Sequence, residues 1–133
     1  MAKNFINIRE QSDILAARQT GRQLAQKLGF GLADQTRLAT AISELTRNVI
    51  QYAGEGTCLI NDESDRDTCK IRVVVEDGGP GIPDIEQALR DGFTTGSGLG
   101  VGLPGARRLV HNFDLESRPG HTRVTIEMLL RKR

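Results

Sequence analysis

The sequence lacks tryptophan, has one tyrosine and two cysteines among 133 residues, and contains no apolar run near the roughly 18 residues that span a membrane. Two cysteines without an apolar leader segment indicate a reducing cytoplasm, where we expect free thiols at Cys58 and Cys69 rather than the alternative of a disulfide between them. Basic and acidic side chains nearly balance, 18 against 17, which excludes a nucleic-acid binder that works by neutralising phosphates. Because no apolar segment follows the first four residues, the sequence predicts a cytoplasmic protein without a membrane partner.

Glycine, in contrast, is abundant and unevenly placed. Nine of the 15 glycines lie between Gly78 and Gly105, where leucine, valine, phenylalanine and charged residues separate them. Such interleaving is not low complexity. Since the chain shows no internal repeat and no linker rich in proline or serine, its length predicts one domain over residues 1–133.

Hydrophobic periodicity predicts two long helices. Apolar residues recur at steps of three and four from Ile14 to Leu28, and again from Leu38 to Val49 in a second helix expected over 33–52. Further segments are predicted as strands at 5–8, 58–61, 70–76, 113–117 and 122–130, and as short helices at 85–90 and 104–110. This order predicts an α/β fold, a two-layer α/β sandwich with one mixed sheet and its helices on one face.

The second predicted helix carries the first candidate for chemistry. Glu44 and Asn48 are four residues apart, so their side chains lie one above the other on one helix face, beside the apolar stripe. A carboxylate next to a carboxamide at the edge of a core can serve as a base and a metal ligand. The competing interpretation is a half-exposed polar pair without function, which is common on helices.

A second candidate follows the predicted strand at 70–76. Three glycines and two prolines come directly after Asp77, and glycines allow the backbone to approach another group closely. Asp77 can accept a hydrogen bond from a ligand amine at the end of the sheet. The alternative is a turn capped by an aspartate, although these glycines and prolines exceed what a turn requires.

The third candidate is a glycine-rich run before Pro104, a residue suited to the first turn of a helix. Backbone N–H groups followed by a helix N-terminus can form a cradle for phosphate. The alternative is a flexible surface loop, but leucine and valine alternate with these glycines. A dinucleotide fingerprint would follow a strand, and a Walker A loop would contain a lysine, so both are excluded. The run comprises Gly96, Ser97, Gly98, Leu99, Gly100, Val101, Gly102 and Leu103.

In combination, the three segments resemble a known family. E-x-x-x-N on a helix, D-x-G-x-G after a strand and G-x-G-x-G-x-G before a helix occur in this order in the Bergerat-fold (GHKL) ATPases. Within that superfamily the chain resembles most closely the RsbT-type serine/threonine switch kinases, which are related to anti-sigma factor kinases. The resemblance covers roughly residues 5–130. The matching stretches are Ala16-Ala17-Arg18-Gln19, Leu28-Gly29-Phe30-Gly31, Ala41-Ile42-Ser43-Glu44-Leu45 with Arg47-Asn48, Glu76-Asp77 with Gly79-Pro80-Gly81-Ile82-Pro83-Asp84, Asp91-Gly92-Phe93, and Leu99-Gly100 with Gly102-Leu103-Pro104-Gly105.

The resemblance implies ATP and Mg²⁺ as cofactors and assigns a role to each candidate. Glu44 would be the general base, Asn48 would bind Mg²⁺ at the phosphates, and Asp77 would accept a hydrogen bond from the adenine amino group. Thr122 would help to hold adenine through water, although Gly120-His121-Thr122 departs from the family's Gly-x-Gly-Thr. The remaining nucleotide-binding residues would be Gly79, Gly81 and Ile82 around adenine, and Gly96, Ser97, Gly98, Leu99, Gly100, Val101, Gly102 and Leu103 in the lid over the phosphates.

The resemblance also implies a partner. It predicts a serine/threonine kinase that phosphorylates a STAS-domain protein in bacterial stress signalling, with a phosphatase or other effector as a further partner. A carboxylate base such as Glu44 suits a serine hydroxyl, which must lose its proton, better than a histidine acceptor. Two other functions stay open. One is a binding module, an anti-sigma factor or a similar protein, that sequesters a sigma factor or an effector and uses ATP to select its partner. The other is a stand-alone ATPase of the topoisomerase type.

Overall fold

The computed structural model describes residues 3–82 and 102–132, which form a layer of helices against a five-stranded sheet. The strand order is β1-β2-β3-β5-β4. The predicted two-layer α/β sandwich is confirmed, whereas the helix predicted at 85–90 lies outside the described residues. In chain order, the elements are β1 (Lys3–Ile8), α1 (Gln11–Lys27), α2 (Leu32–Tyr52), β2 (Gly56–Asp62), β3 (Thr68–Asp77), α3 (Gly102–Leu109), β4 (Asn112–Arg118) and β5 (His121–Arg131).

The sheet is more uniform than the mixed sheet that the sequence predicts, because all four pairings between the described strands are antiparallel. Helices α1 and α2 connect β1 to β2. Because the chain passes along the sheet once in each helix, it is back at the end where β1 finished, and β2 runs antiparallel to β1. Strands β3 and β4 run in the same direction, but β5 lies between them and is antiparallel to both. No parallel pair therefore forms within the described sheet.

The two long helices begin and end where their sequences allow. The Asp13 carboxylate accepts hydrogen bonds from the backbone N–H groups of Arg9 (2.9 Å) and Glu10 (3.1 Å), which stabilises the first turn of α1. Helix α2 ends at Tyr52 because Gly54 adopts a φ of +87° and donates its N–H to the carbonyl of Val49 at 2.9 Å. None of the helices within residues 3–82 and 102–132 is long and apolar enough to cross a membrane.

The core lies between the helices and one face of the sheet. On β3 and β5 every second side chain is buried, which is the period expected for a strand with one covered face. Both cysteines belong to this core as free thiols, as predicted, and burial raises the pKa of Cys58 to about 12. The buried apolar residues of the strands are Ile8, Cys58, Ile60, Cys69, Ile71, Val73, Val75, Val124, Ile126 and Met128.

One end of the sheet brings the candidate residues together. Gly56 at the start of β2 pairs with Asp77 at the end of β3, and Asp77 pairs with Thr122 at the start of β5. The C-terminal half of α2 lies over the same end, since a Cβ on Gly56 would come within 2.7 Å of the Val49 side chain. This arrangement places the Glu44 helix beside the Asp77 strand.

Candidate active site

Glu44 is a buried carboxylate with a hydrogen-bond donor on each oxygen. Its side chain is 8% exposed. Oε1 accepts from Nη1 of Arg47 at 2.6 Å, and Oε2 accepts from the backbone N–H of Gly102 at 3.1 Å. A buried charge is tolerated when it is paired and hydrogen-bonded in this way. Glu44 therefore links α2 to the first residue of α3.

Asn48 lies one helical turn beyond Glu44 and is half-buried. Its carboxamide makes no hydrogen bond with any residue of the described ranges, unlike Ser43 and Thr46, whose hydroxyls donate to α2 carbonyls at 3.0 and 2.7 Å. Within residues 3–82 and 102–132 no three metal-ligating side chains cluster. The Asn48 carboxamide oxygen is thus one ligand without a partner in the described residues. A single protein oxygen suits Mg²⁺, because Mg²⁺ keeps most of its waters and also binds substrate phosphates. It does not suit a metal that is held by protein ligands alone.

Asp77 ends β3 with one carboxylate oxygen in use. Oδ1 accepts the backbone N–H of Gly79 at 2.9 Å, whereas Oδ2 has no partner within the described part of the chain. The side chain is half-buried, and its position in the β3 alternation matches that of Val73 and Val75, which face the helices. Asp77 can therefore accept a further hydrogen bond on the helix side of the sheet.

The glycines after Asp77 allow the loop to pack closely on its neighbours. A Cβ on Gly79 would come within 2.7 Å of the Ala53 side chain, just after α2. Gly81 adopts a φ of +85°, and a Cβ there would lie 2.6 Å from the carbonyl oxygen of Arg118. The carbonyl of Gly79 also accepts the N–H of Gly120 at 2.9 Å. These contacts fix the loop between α2 and the β4–β5 turn.

Two hydroxyl groups connect this loop to the sheet. Ser117 Oγ accepts a hydrogen bond from the backbone N–H of Ile82 at 2.8 Å and lies 2.7 Å from Thr122 Oγ1. Thr122 is buried. Sequence reasoning missed Ser117. The alternation of Phe113, Leu115 and Ser117 on the half-buried face of β4 is the signal that could have revealed a hydroxyl there. The structure thus joins Asp77, Ile82 and Thr122 into one wall.

The glycine-rich run is described only at its end. Gly96, Ser97, Gly98, Leu99, Gly100 and Val101 lie outside the described residues. Gly102 opens α3 with a φ of +64°, and its N–H, which the sequence assigned to phosphate, is bound to Glu44. Leu103 packs against the core, and Arg107 is exposed on α3.

Comparison with known proteins supports one family. Residues 33–132 match the family described as histidine kinase-, DNA gyrase B-, and HSP90-like ATPase. The chain is 50% identical over 118 residues to the serine/threonine-protein kinase RsbT of Bacillus subtilis (strain 168), and the match covers 89% of each protein.

Solved structures share the fold. The crystal structure of the RsbU and RsbW domains of Rv1364c from Mycobacterium tuberculosis matches all of this chain and 34% of that one, with a TM-score of 0.70 at 17% identity. The catalytic domain of the histidine kinase ThkA matches 94% of this chain and 95% of its own, with a TM-score of 0.58 at 25% identity.

Proposed function

Because the chain belongs to the histidine kinase-, DNA gyrase B- and HSP90-like ATPase family, and to its RsbT-type branch, we propose that it transfers the γ-phosphate of ATP to a serine or threonine of a STAS-domain protein. Its activity as a protein serine/threonine kinase rests on the family and on the half-identical RsbT. The proposal includes a STAS-domain acceptor, the use of Mg²⁺, a cytoplasmic location and a role in stress signalling by partner switching.

The observation that carries the proposal is the placement of two carboxylates, Glu44 on α2 and Asp77 at the end of β3, near opposite ends of the C-terminal half of α2. Glu44 lies in the middle of α2, and Ala53 at its C-cap contacts the loop that follows Asp77. From Glu44 to Ala53 the helix rises about 13 Å. A nucleotide lying along this surface can present its base to Asp77 and its phosphates to Asn48 and Glu44.

Each residue then has a defined task. Asp77 Oδ2 accepts a hydrogen bond from the adenine amino group, and the wall formed by Gly79, Gly81, Ile82 and Thr122 encloses the base. The Asn48 carboxamide oxygen would hold Mg²⁺, which would neutralise charge on the phosphates. The glycine-rich run from Gly96 to Leu103 supplies backbone amides to the phosphates, except for the Gly102 N–H, which binds Glu44.

Glu44 acts as the general base of the transfer. It takes the proton of the acceptor hydroxyl while that oxygen forms a bond to the γ-phosphorus and the bond from the γ-phosphorus to the β–γ bridging oxygen breaks. ADP leaves with the bridging oxygen, and the proton remains on Glu44 until solvent removes it. Positioning and charge neutralisation supply most of the catalysis, as is usual in phosphoryl transfer.

The docking surface for the protein acceptor borders the site and is basic. Along α2 from Leu38 to Tyr52 the only charged residues are the buried Glu44 and Arg47, whose side chain is 41% exposed. Helix α3 packs against α2 and has Arg107 and Arg108 as its only charged residues, both exposed. An acidic surface on the partner complements this rim.

Two measurements test the proposal. Calorimetric titration with ATP and Mg²⁺ should show that Asn48→Ala weakens Mg²⁺-dependent binding, while binding without Mg²⁺ changes little. Incubation with γ-labelled ATP and a purified STAS-domain protein should transfer label to serine or threonine. Binding of ATP and partner without any transfer would favour the alternative, a module that sequesters an effector.

A further inference from the structure

The hydrogen bonds that Glu44 accepts in this structure compete with the role of general base proposed for it. A general base needs a lone pair directed at the hydroxyl that it deprotonates. In this structure Oε1 accepts from the Arg47 guanidinium at 2.6 Å and Oε2 from the Gly102 N–H at 3.1 Å. Each oxygen of the buried carboxylate therefore already accepts one hydrogen bond before any acceptor arrives.

The two donors differ in how easily they can leave. The Gly102 N–H belongs to the backbone at the first residue of α3, so its removal requires that the chain move. The Arg47 guanidinium is at the end of a long side chain that is 41% exposed, on the helix surface next to the proposed docking rim. A new acidic neighbour can therefore draw Arg47 away from Glu44 while α2 stays in place.

We propose that Arg47 is a positioning residue that occupies Glu44 in the free chain and is withdrawn by an acidic group of the docked protein acceptor. The inference rests on the proposed kinase function. Withdrawal frees Oε1 to accept the hydroxyl proton, so phosphoryl transfer begins when the acceptor is in place. Without the acceptor, the same ion pair suppresses transfer of the γ-phosphate to water.

Helix α2 provides a matched control pair. Arg37 Nη1 contacts Asp34 Oδ1 at 2.8 Å with the same three-residue spacing, but these side chains are 52% and 28% exposed and lie in the first turns of the helix. Arg37→Gln therefore removes an equivalent arginine from an exposed ion pair. It should change neither stability nor nucleotide chemistry to a large extent.

The first readout is unfolding in urea without nucleotide. Arg47→Gln leaves the buried Glu44 carboxylate without its cation and should lower the urea midpoint. Adding Glu44→Gln to this variant removes the unpaired charge and should raise the midpoint again, so that the two changes are not additive. Arg37→Gln and Asp34→Asn should give small, additive shifts. Additive shifts at Arg47 and Glu44 would show that the pair does not exist in solution.

The second readout is ATP hydrolysis by the purified chain alone at saturating ATP and Mg²⁺. Arg47→Gln should raise kcat about tenfold with less than about twofold change in KM, because a charge-assisted hydrogen bond no longer has to break. Arg47→Lys, which keeps the cation, should stay close to wild type, and Arg47→Gln with Glu44→Gln should lose the gain.

Three outcomes would contradict this inference, each for a different reason. If the Arg47→Gln variant binds ATP normally and hydrolyses it no faster than wild type, Arg47 does not restrain Glu44. If the variant binds ATP more weakly, Arg47 contacts phosphate and the proposal is also wrong. If the wild-type chain binds no ATP, the proposed function fails and this inference fails with it.

Discussion

Replacement of Asp77 by asparagine tests the adenine site with a change of one atom. The asparagine oxygen can keep the hydrogen bond that Asp77 Oδ1 receives from Gly79 at 2.9 Å, which places the new NH₂ where Oδ2 was. A donor would then face the donor amino group of adenine. An unsatisfied pair of this kind costs about 1–3 kcal/mol, so ATP affinity should fall roughly tenfold to a hundredfold.

Calorimetric titration with ATP measures the effect directly. Asp67→Asn is a suitable control, since Asp67 is exposed in the β2–β3 loop, before the start of the strand that ends at Asp77. It should bind ATP as the wild type does. Equal urea midpoints for the variants would show that the fold is intact. Wild-type ATP affinity in a folded Asp77→Asn variant would remove Asp77 from the nucleotide site.

Three further predictions concern the wall, the core and the rim. Ser117→Ala leaves the Ile82 N–H and the Thr122 hydroxyl without their partner and should destabilise the fold by about 1–3 kcal/mol in urea unfolding; an unchanged midpoint would contradict this. Cys58, with a pKa of about 12, should be about one part in 10⁴ thiolate at pH 8 and react with a thiol reagent only after unfolding; rapid labelling of the native chain would refute its burial. Replacement of Arg107 and Arg108 by glutamate should slow labelling of the protein acceptor, most at low salt, with nearly unchanged ATP affinity; wild-type rates across a salt series would place docking elsewhere.

The bounds of a helix or strand can be predicted from the sequence where a single local pattern determines them. Helix α2 was expected over 33–52 and spans Leu32–Tyr52, because an unbroken apolar stripe ends at a glycine that adopts positive φ. In β5 the alternation of Val124, Ile126 and Met128 in the sequence indicates which side chains are buried. Strand direction was less accessible, because it depends on β5 lying between β3 and β4, a relation between distant segments.

The candidate site was predictable in its residue types but not in its hydrogen bonds. The motifs identified Glu44, Asn48 and Asp77, and the fold brings their elements to one end of the sheet. The sequence did not reveal that the Gly102 N–H binds Glu44, because that contact joins residues 58 positions apart. Ser117 belongs to no motif, and only the pairing of β4 with β5 places it beside Thr122.

The most direct test of the account is single-turnover transfer of label from γ-labelled ATP to a purified STAS-domain protein by the Glu44→Gln variant. Glutamine keeps the shape of the side chain but cannot accept the hydroxyl proton as a base. The variant should bind ATP as the wild type does and transfer phosphate about 10²–10⁴-fold more slowly. Transfer at close to the wild-type rate would contradict the assignment of Glu44 as the base and, with it, the proposed mechanism.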